Sequence, residues 1–355
     1  MGKNIIIIIA AILLTLTGYY FWNNNQNRQT KKQETIKIGA VLPLTGNIAF
    51  LGKSAERGLK FAEYYISHKS NLEFKFVLED GQGNPTKSIN AFNKLIEVDK
   101  VNIVFSTISS VDLSLIPQQI KNGILFISHA THPELSNVNN LFFRHSPTVQ
   151  QEAVLIFQYI GDSTKIAITY MNDEYGVGFE SEMNRNFKSN IIASVPFQKE
   201  EVNFSTISQK LVNTSPSKIV ICGAGQNLSS LPKKLRELGY EGEIIATLAY
   251  AVSGAIKTSD GINNLTMVNF EKLSPNSEFE KLLNEFENHN KIKLGTADFI
   301  FFNSALIVFN SLGKGKEPKN IADEIKSKAN FDVLGGEISV NSMNDILPRL
   351  TFLKQ

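Results

Sequence analysis

The sequence beyond residue 34 predicts an α/β fold of two doubly wound lobes, and three observations carry that prediction. Short apolar runs alternate with amphipathic stretches, the pattern of a parallel sheet covered by helices. These runs fall into two successive series rather than one. The chain has 355 residues, 42% of them hydrophobic and 20% charged, which is more than one core ordinarily holds.

The segment ahead of the fold handles a membrane. Lys3 precedes an uncharged run over residues 5–22, IIIIIAAILLTLTGYYFW, which approaches the length needed to cross a bilayer. Tyr19, Tyr20, Phe21 and Trp22 end it where amphipathic rings favour the headgroup region. Leu16-Thr17-Gly18 resembles the start of a lipoprotein cleavage box, but Tyr19 stands where the lipidated cysteine belongs. No small-x-small cleavage site follows. Residues 1–34 are therefore expected to be an uncleaved anchor plus a polar tether, with a removed signal peptide as the alternative. Either reading puts the rest of the chain outside the cytoplasm, in a periplasmic or other extracytoplasmic space.

The first series of predicted strands covers 36–42, 72–79, 101–105 and 124–128. The second covers 165–170, 191–197, 217–222, 243–247 and 265–270. Helix starts between them carry recognisable signals, as in Asn84-Pro85-Thr86, where proline suits the first helical turn. In open parallel sheets ligands bind beyond the carboxyl ends of the strands, so the loops that follow the strands are where function is sought.

Charge and motifs exclude several classes. Formal net charge is +2, and the basic residues Lys3, Arg28, Lys31 and Lys32 of the leading segment account for it. The short group Lys233, Lys234 and Arg236 reads as a solvated helix face, so no nucleic acid partner is expected. The single cysteine, Cys222, lies in the apolar run KIVIC and reads as buried. Gly223-Ala224-Gly225 follows that run, but Leu228 occupies the third glycine position of a dinucleotide fingerprint, so a tight strand-to-helix turn is the better account. His129, His132 and Glu134 could ligate a metal, yet a third or fourth convergent ligand is not visible. His129 reads instead as lining a pocket or standing in an exposed loop. His68, His145 and His289 have no nucleophile pattern nearby. Neither enzyme activity nor a metal or cofactor is expected.

At this point the residues carry a likeness. IKIGAVLPLTGNIAFLGKSAERGLKFA, with Pro43-Leu44-Thr45-Gly46 and Gly52, is followed in order by LEFKFVLEDGQGNPTKSINAFNKLI, VNIVFSTISS, ILFISHATHPEL, LFFRHSPT, YMNDEYGVGFE and FDVLGGEISVNSMNDILPR. Over roughly 35–355 the chain resembles type I periplasmic binding proteins of the branched-chain amino acid, amide and urea group, the substrate-binding components of ABC importers. The resemblance implies two αβα lobes joined by a three-crossover hinge that closes over a ligand. It assigns 35–147 and 273–329 to lobe 1, and 148–272 and 330–355 to lobe 2.

Carried over, the resemblance puts Ser109 where a hydroxyl meets a ligand carboxylate or carbonyl, at a helix start whose free N–H groups favour an oxygen. Thr107 belongs to the same loop, and Ser110 is either a contact or the helix cap. Ala130 and Thr131, with His129 beside them, match the second ligand-holding loop. Phe50 and Tyr175 match pocket aromatics, with plain packing as the competing reading. The pattern departs in lobe 2. Amino acid binders of this family offer an acid after the strand that here runs into Ala249, Tyr250 and Ala251, and a tyrosine near the position of Ala224 and Gly225. An ammonium buried without a counter-charge is costly, so the expected ligand is an amide, a carboxylate or an aromatic acid rather than a standard α-amino acid, with Tyr250 and Gly225 at its lobe 2 side. The expected function is delivery of that ligand to an ABC permease. A membrane-anchored sensor and a scaffold that has lost its ligand are the alternatives.

Overall fold

The computed structural model describes residues 34–46, 48–253, 261–271, 277–328, 330–333 and 336–354. The uncharged run 5–22 lies outside them. Among the described residues no helix is long and apolar enough to cross a membrane.

The first part of the chain alternates β1 (Glu34–Leu42), α1 (Ala49–Lys69), β2 (Leu72–Asp80), α2 (Pro85–Glu97), β3 (Ile103–Ser106), α3 (Ser109–Asn122), β4 (Leu125–Ser128) and β5 (Phe142–His145). Period-two alternation divides the strand side chains between two cores. Ile36, Ile38, Ala40 and Leu42 face α1, while Val41, Val104, Phe126 and Phe142 face α2 and α3. Local signals fix the helix ends. Asn84 caps α2 by accepting from the Lys87 N–H, and Gly123 ends α3 at φ 62°, a left-handed conformation that costs glycine little.

The second part continues with α4 (Val149–Ile160), β6 (Ile166–Met171), α5 (Glu174–Phe187), β7 (Ile191–Phe197), α6 (Ser205–Val212), β8 (Lys218–Cys222), α7 (Ser230–Glu237), β9 (Glu243–Ala246), α8 (Leu248–Val252) and β10 (Leu265–Phe270). The chain then forms α9 (Ser277–Asn290), α10 (Thr296–Asn310), α11 (Pro318–Ser327), β11 (Asn330–Val333), β12 (Gly336–Val340), β13 (Asp345–Leu347) and β14 (Leu350–Lys354). Helices α9 to α11 return to the first core, where Phe279, Phe302 and Ile321 pack with Phe61 of α1.

Two sheets result. The described strands of the first run β11-β12-β13-β5-β4-β3-β1-β2, and those of the second run β14-β10-β9-β8-β6-β7. Pairing from β1 to β10 is parallel, and helices cover both faces of each sheet. This is the doubly wound α/β class predicted from the alternation of runs.

One boundary is corrected. Residues 330–355 were expected together in the second lobe, but β11, β12 and β13 join the first sheet, with Asp345 and Ile346 beside Arg144 and His145 of β5. Within that stretch it is β14 that reaches the second sheet, antiparallel to β10. The short antiparallel strands 330–340 find their hydrogen-bonding partners in each other and in β13. The chain thus passes between the sheets after β5, after β10 and after β13.

Candidate ligand-binding site

A cavity of about 260 Å³ lies between the two sheets. All of β1 to β10 deliver residues to it from their C-terminal ends or following segments, from Ile48 and Gly83 after β1 and β2 to Phe270 at the end of β10. The carboxyl ends of two parallel sheets meet there, as the topology of such sheets requires.

The first sheet supplies a polar wall. Thr107, Ser109, Ser110, His129, Ala130 and Thr131 all line the cavity. Helix α3 begins beside it with Ile108 at the cap position and no side-chain cap, so Ser110 is not the cap. Among the described residues the hydroxyls of Thr107, Ser109, Ser110 and Thr131 make no hydrogen bond within the protein. A bound oxygen would satisfy them and the free N–H groups of the helix start.

Buried polar groups hold this wall from behind. Ser128 donates to Asp112 and accepts from the Ala130 N–H at 3.1 Å, which fixes the loop that carries Thr131. Burial pushes the Asp112 carboxyl up to about 7, against the hydroxyls of Ser106 and Ser128, which favour its charged form. His129 turns away from any metal-binding arrangement with His132. Its Nδ1 donates to the Ser106 carbonyl at 3.1 Å, so its Nε2 accepts from Ser304 at 2.8 Å, and Ser304 in turn accepts from His145 Nδ1 at 2.6 Å. Burial lowers His129 to about 3, and burial with the neighbouring His129 holds His145 well below the usual imidazole range, so both rings stay neutral. His132 instead accepts from the Glu134 N–H.

The remaining wall of the first lobe comes from α1 and α10. Ser54 donates to Asp298, and Arg57 grips the same carboxylate with two bonds of 3.0 and 2.8 Å. This clamp sets Leu51 on α1 against Ala297, Ile300 and Phe301 on α10.

The second sheet contributes Met171, Ala224, Leu248, Ala249 and Val252, and also charge. Glu152, Asp173, Glu174 and Lys199 line the cavity. Glu152 is 2% exposed. It accepts from the Leu248 N–H and from the Tyr175 hydroxyl at 2.6 Å. Burial raises it to about 7, and those two donors pull the other way. Asp173 caps α5 through the Gly176 N–H at 2.9 Å, with its carboxyl raised by burial.

Three expected contacts fall elsewhere. Tyr250 is fully buried in the second core, because the short helix α8 turns Leu248, Ala249 and Val252 to the cavity and Tyr250 away from it. Gly225 serves the turn before Ser229, at φ 126°, and its neighbour Ala224 takes the lining position. Phe50 is half-buried on α1, while Ile48 and Leu51 on either side reach the cavity. A different segment of the second lobe does bring an acid to the cavity. The loop after β9 has none, but Glu152 reaches the cavity from α4. Its signal lay in the helix periodicity, since residue 152 falls within the apolar stripe of Val149, Ala153, Ile156 and Ile160.

A family model described as periplasmic binding protein matches residues 35–338. The chain belongs to the periplasmic binding protein family. Members of this family, as its description says, are binding proteins of the periplasm, outside the cytoplasm. Leu/Ile/Val-binding protein homolog 2 of Brucella abortus (strain 2308) is 23% identical over 337 residues, covering 87% of this chain and 87% of that protein. Among solved structures, the substrate-binding protein LivJ of Streptococcus pneumoniae in complex with isoleucine superposes with a TM-score of 0.80 at 17% identity, covering 91% of this chain and 96% of that one. A solute-binding protein of Rhodopseudomonas palustris BisB5 in complex with 3,4-dihydroxybenzoic acid gives 0.76 at 18%, covering 90% and 93%. The shared fold therefore serves ligands with an ammonium group and ligands without one.

Proposed function

We propose that this periplasmic binding protein captures a small organic molecule between its lobes and presents it to an ABC importer. The observation that carries the reading is the cavity itself, where the carboxyl ends of both sheets converge and four hydroxyls stand without partners among the described residues. A ligand carboxylate or amide carbonyl suits that hydroxyl wall, and the apolar side chains of Leu51, Ile300, Phe301 and Leu248 suit a hydrocarbon body. Closure of the lobes persists when the closed form binds the ligand better than the open one. The run 5–22, outside the described residues, supports tethering to the cytoplasmic membrane.

A thermal-shift screen of amino acids, amides, urea, polyols and aromatic acids tests this reading, because a ligand that binds only the native form raises Tm. A rise with at least one class is the expected result. A flat response across the panel would favour a scaffold that has lost its ligand.

A further inference from the structure

Glu152 enters the cavity at a position where a carboxylate is costly. It is 2% exposed, and Val149, Ala153 and Ile156 on the same helix stripe are apolar. The Leu248 N–H and the Tyr175 hydroxyl each occupy one of its oxygens, and each oxygen retains a further lone pair. Among the described residues no Lys or Arg forms an ion pair with it, and the donors that favour its charged form are the Leu248 N–H and the Tyr175 hydroxyl. The cavity is thus chemically polarised, with hydroxyls and an uncapped helix start on one wall and Glu152 with Asp173 on the other.

Resting on the ligand-binding reading above, we propose that Glu152 is the specificity-determining residue of the cavity. It supplies, from α4, the counter-charge for a positively charged nitrogen on the ligand. The protein then selects ligands that bear such a nitrogen over matched carboxylates that lack it. This reverses the ligand class expected from the loop after β9.

The groups around Glu152 leave that role to it. Tyr175 and Cys222 are held neutral by burial, which raises both. His129 across the cavity is neutral for the opposite reason, lowered to about 3. Asp173, raised by burial, adds to the negative wall, and Glu174 and Lys199 are exposed. With Glu152 itself near 7 in the empty cavity, a cationic ligand favours its ionised form. Affinity for such a ligand therefore falls as pH drops from 8 to 5.5.

Titration calorimetry on the full-length protein in detergent, with two matched pairs of probes, tests the proposal. The pairs are leucine against 4-methylpentanoate, and 4-(aminomethyl)benzoate against 4-methylbenzoate. The wild type is expected to prefer the ammonium member of at least one pair. Glu152→Gln should weaken that member roughly 30-fold or more, leave the nitrogen-free member within about threefold, and abolish the pH slope. Tyr175→Phe provides a second readout if the glutamine variant folds poorly. It keeps the carboxyl but removes a donor, so the midpoint of the pH profile moves upward. Unchanged ammonium affinity in Glu152→Gln, an unmoved midpoint in Tyr175→Phe, or a wild-type preference for the nitrogen-free members would each overturn the proposal alone. Silence of both members of both pairs tells against the ligand-binding reading as well.

Discussion

Arg144 and Asp345 form an ion pair that is closed to water, at 2.9 Å with side-chain exposures of 0% and 1%. They face each other across the parallel β5–β13 pairing. Arg144 also donates to the His132 carbonyl at 2.8 Å and to Ser136, so the pair fastens the returning strand to the loop just past Thr131. Removing one partner would strand a buried charge. Asp345→Ala should therefore cost about 3–5 kcal/mol, read as a lower urea midpoint with an unchanged slope. A loss below about 1 kcal/mol would mean that the guanidinium finds water or another acceptor.

The clamp between α1 and α10 depends on close approach. A Cβ at Gly58 would lie 2.0 Å from the Asp298 carbonyl oxygen, a backbone atom that cannot step aside alone. Gly58→Ala is expected to push the helices apart and to cost about 1–3 kcal/mol or more. It should also weaken ligand binding, because Ser54, Ala297 and Ile300 line the cavity on those two helices. Paired measurements of Tm and ligand affinity check both effects.

Buried acid and buried imidazole pull stability in opposite directions with pH. Asp112, raised to about 7, holds a proton in the native state that the unfolded chain releases near pH 4. Its contribution is full below that point and is lost as pH rises through about 7. His129, lowered to about 3, behaves conversely, since its contribution is present above about 6.5 and is lost as pH falls. Asp112→Asn removes the first contribution and keeps the shape. The variant should lose Tm on acidification from pH 7.5 to 5 more steeply than the wild type, by a difference equivalent to a few kcal/mol. Parallel Tm curves would show that the Asp112 carboxyl is charged at neutrality.

The hydroxyl wall is open to a direct check. Replacing Ser109 and Thr131 together by Ala should leave Tm of the empty protein within a few degrees, because neither hydroxyl bonds to any of the described residues. Ligand affinity should fall by roughly tenfold to a hundredfold. Undiminished binding would remove both residues from the site.

Much of this architecture was legible because parallel strands buried on both faces read as unbroken apolar runs. KIVIC and LTMVNF match β8 and β10 within one residue. The strands of residues 330–347 were assigned to the wrong lobe because short strands carry no mark of which sheet they will join. That choice rests on pairing such as Arg144 with Asp345, some 200 positions apart. In the site, the loops after β3 and β4 were readable from their small hydroxyl residues at a helix start. Tyr250 misled because five residues of helix rotate neighbouring side chains to opposite sides. Glu152 was overlooked because a lone acid in an amphipathic helix is usually taken for the wet face, although its phase put it on the dry one.

The last strand, β14, is the neighbour that completes β10 at the edge of the second sheet. During synthesis, that sheet waits for residues 350–354 after every other described strand of both sheets has emerged. A chain clipped near Pro348 would keep its cavity-facing loops but present a bare ribbon of Thr266 to Phe270, an invitation to stick to its own kind.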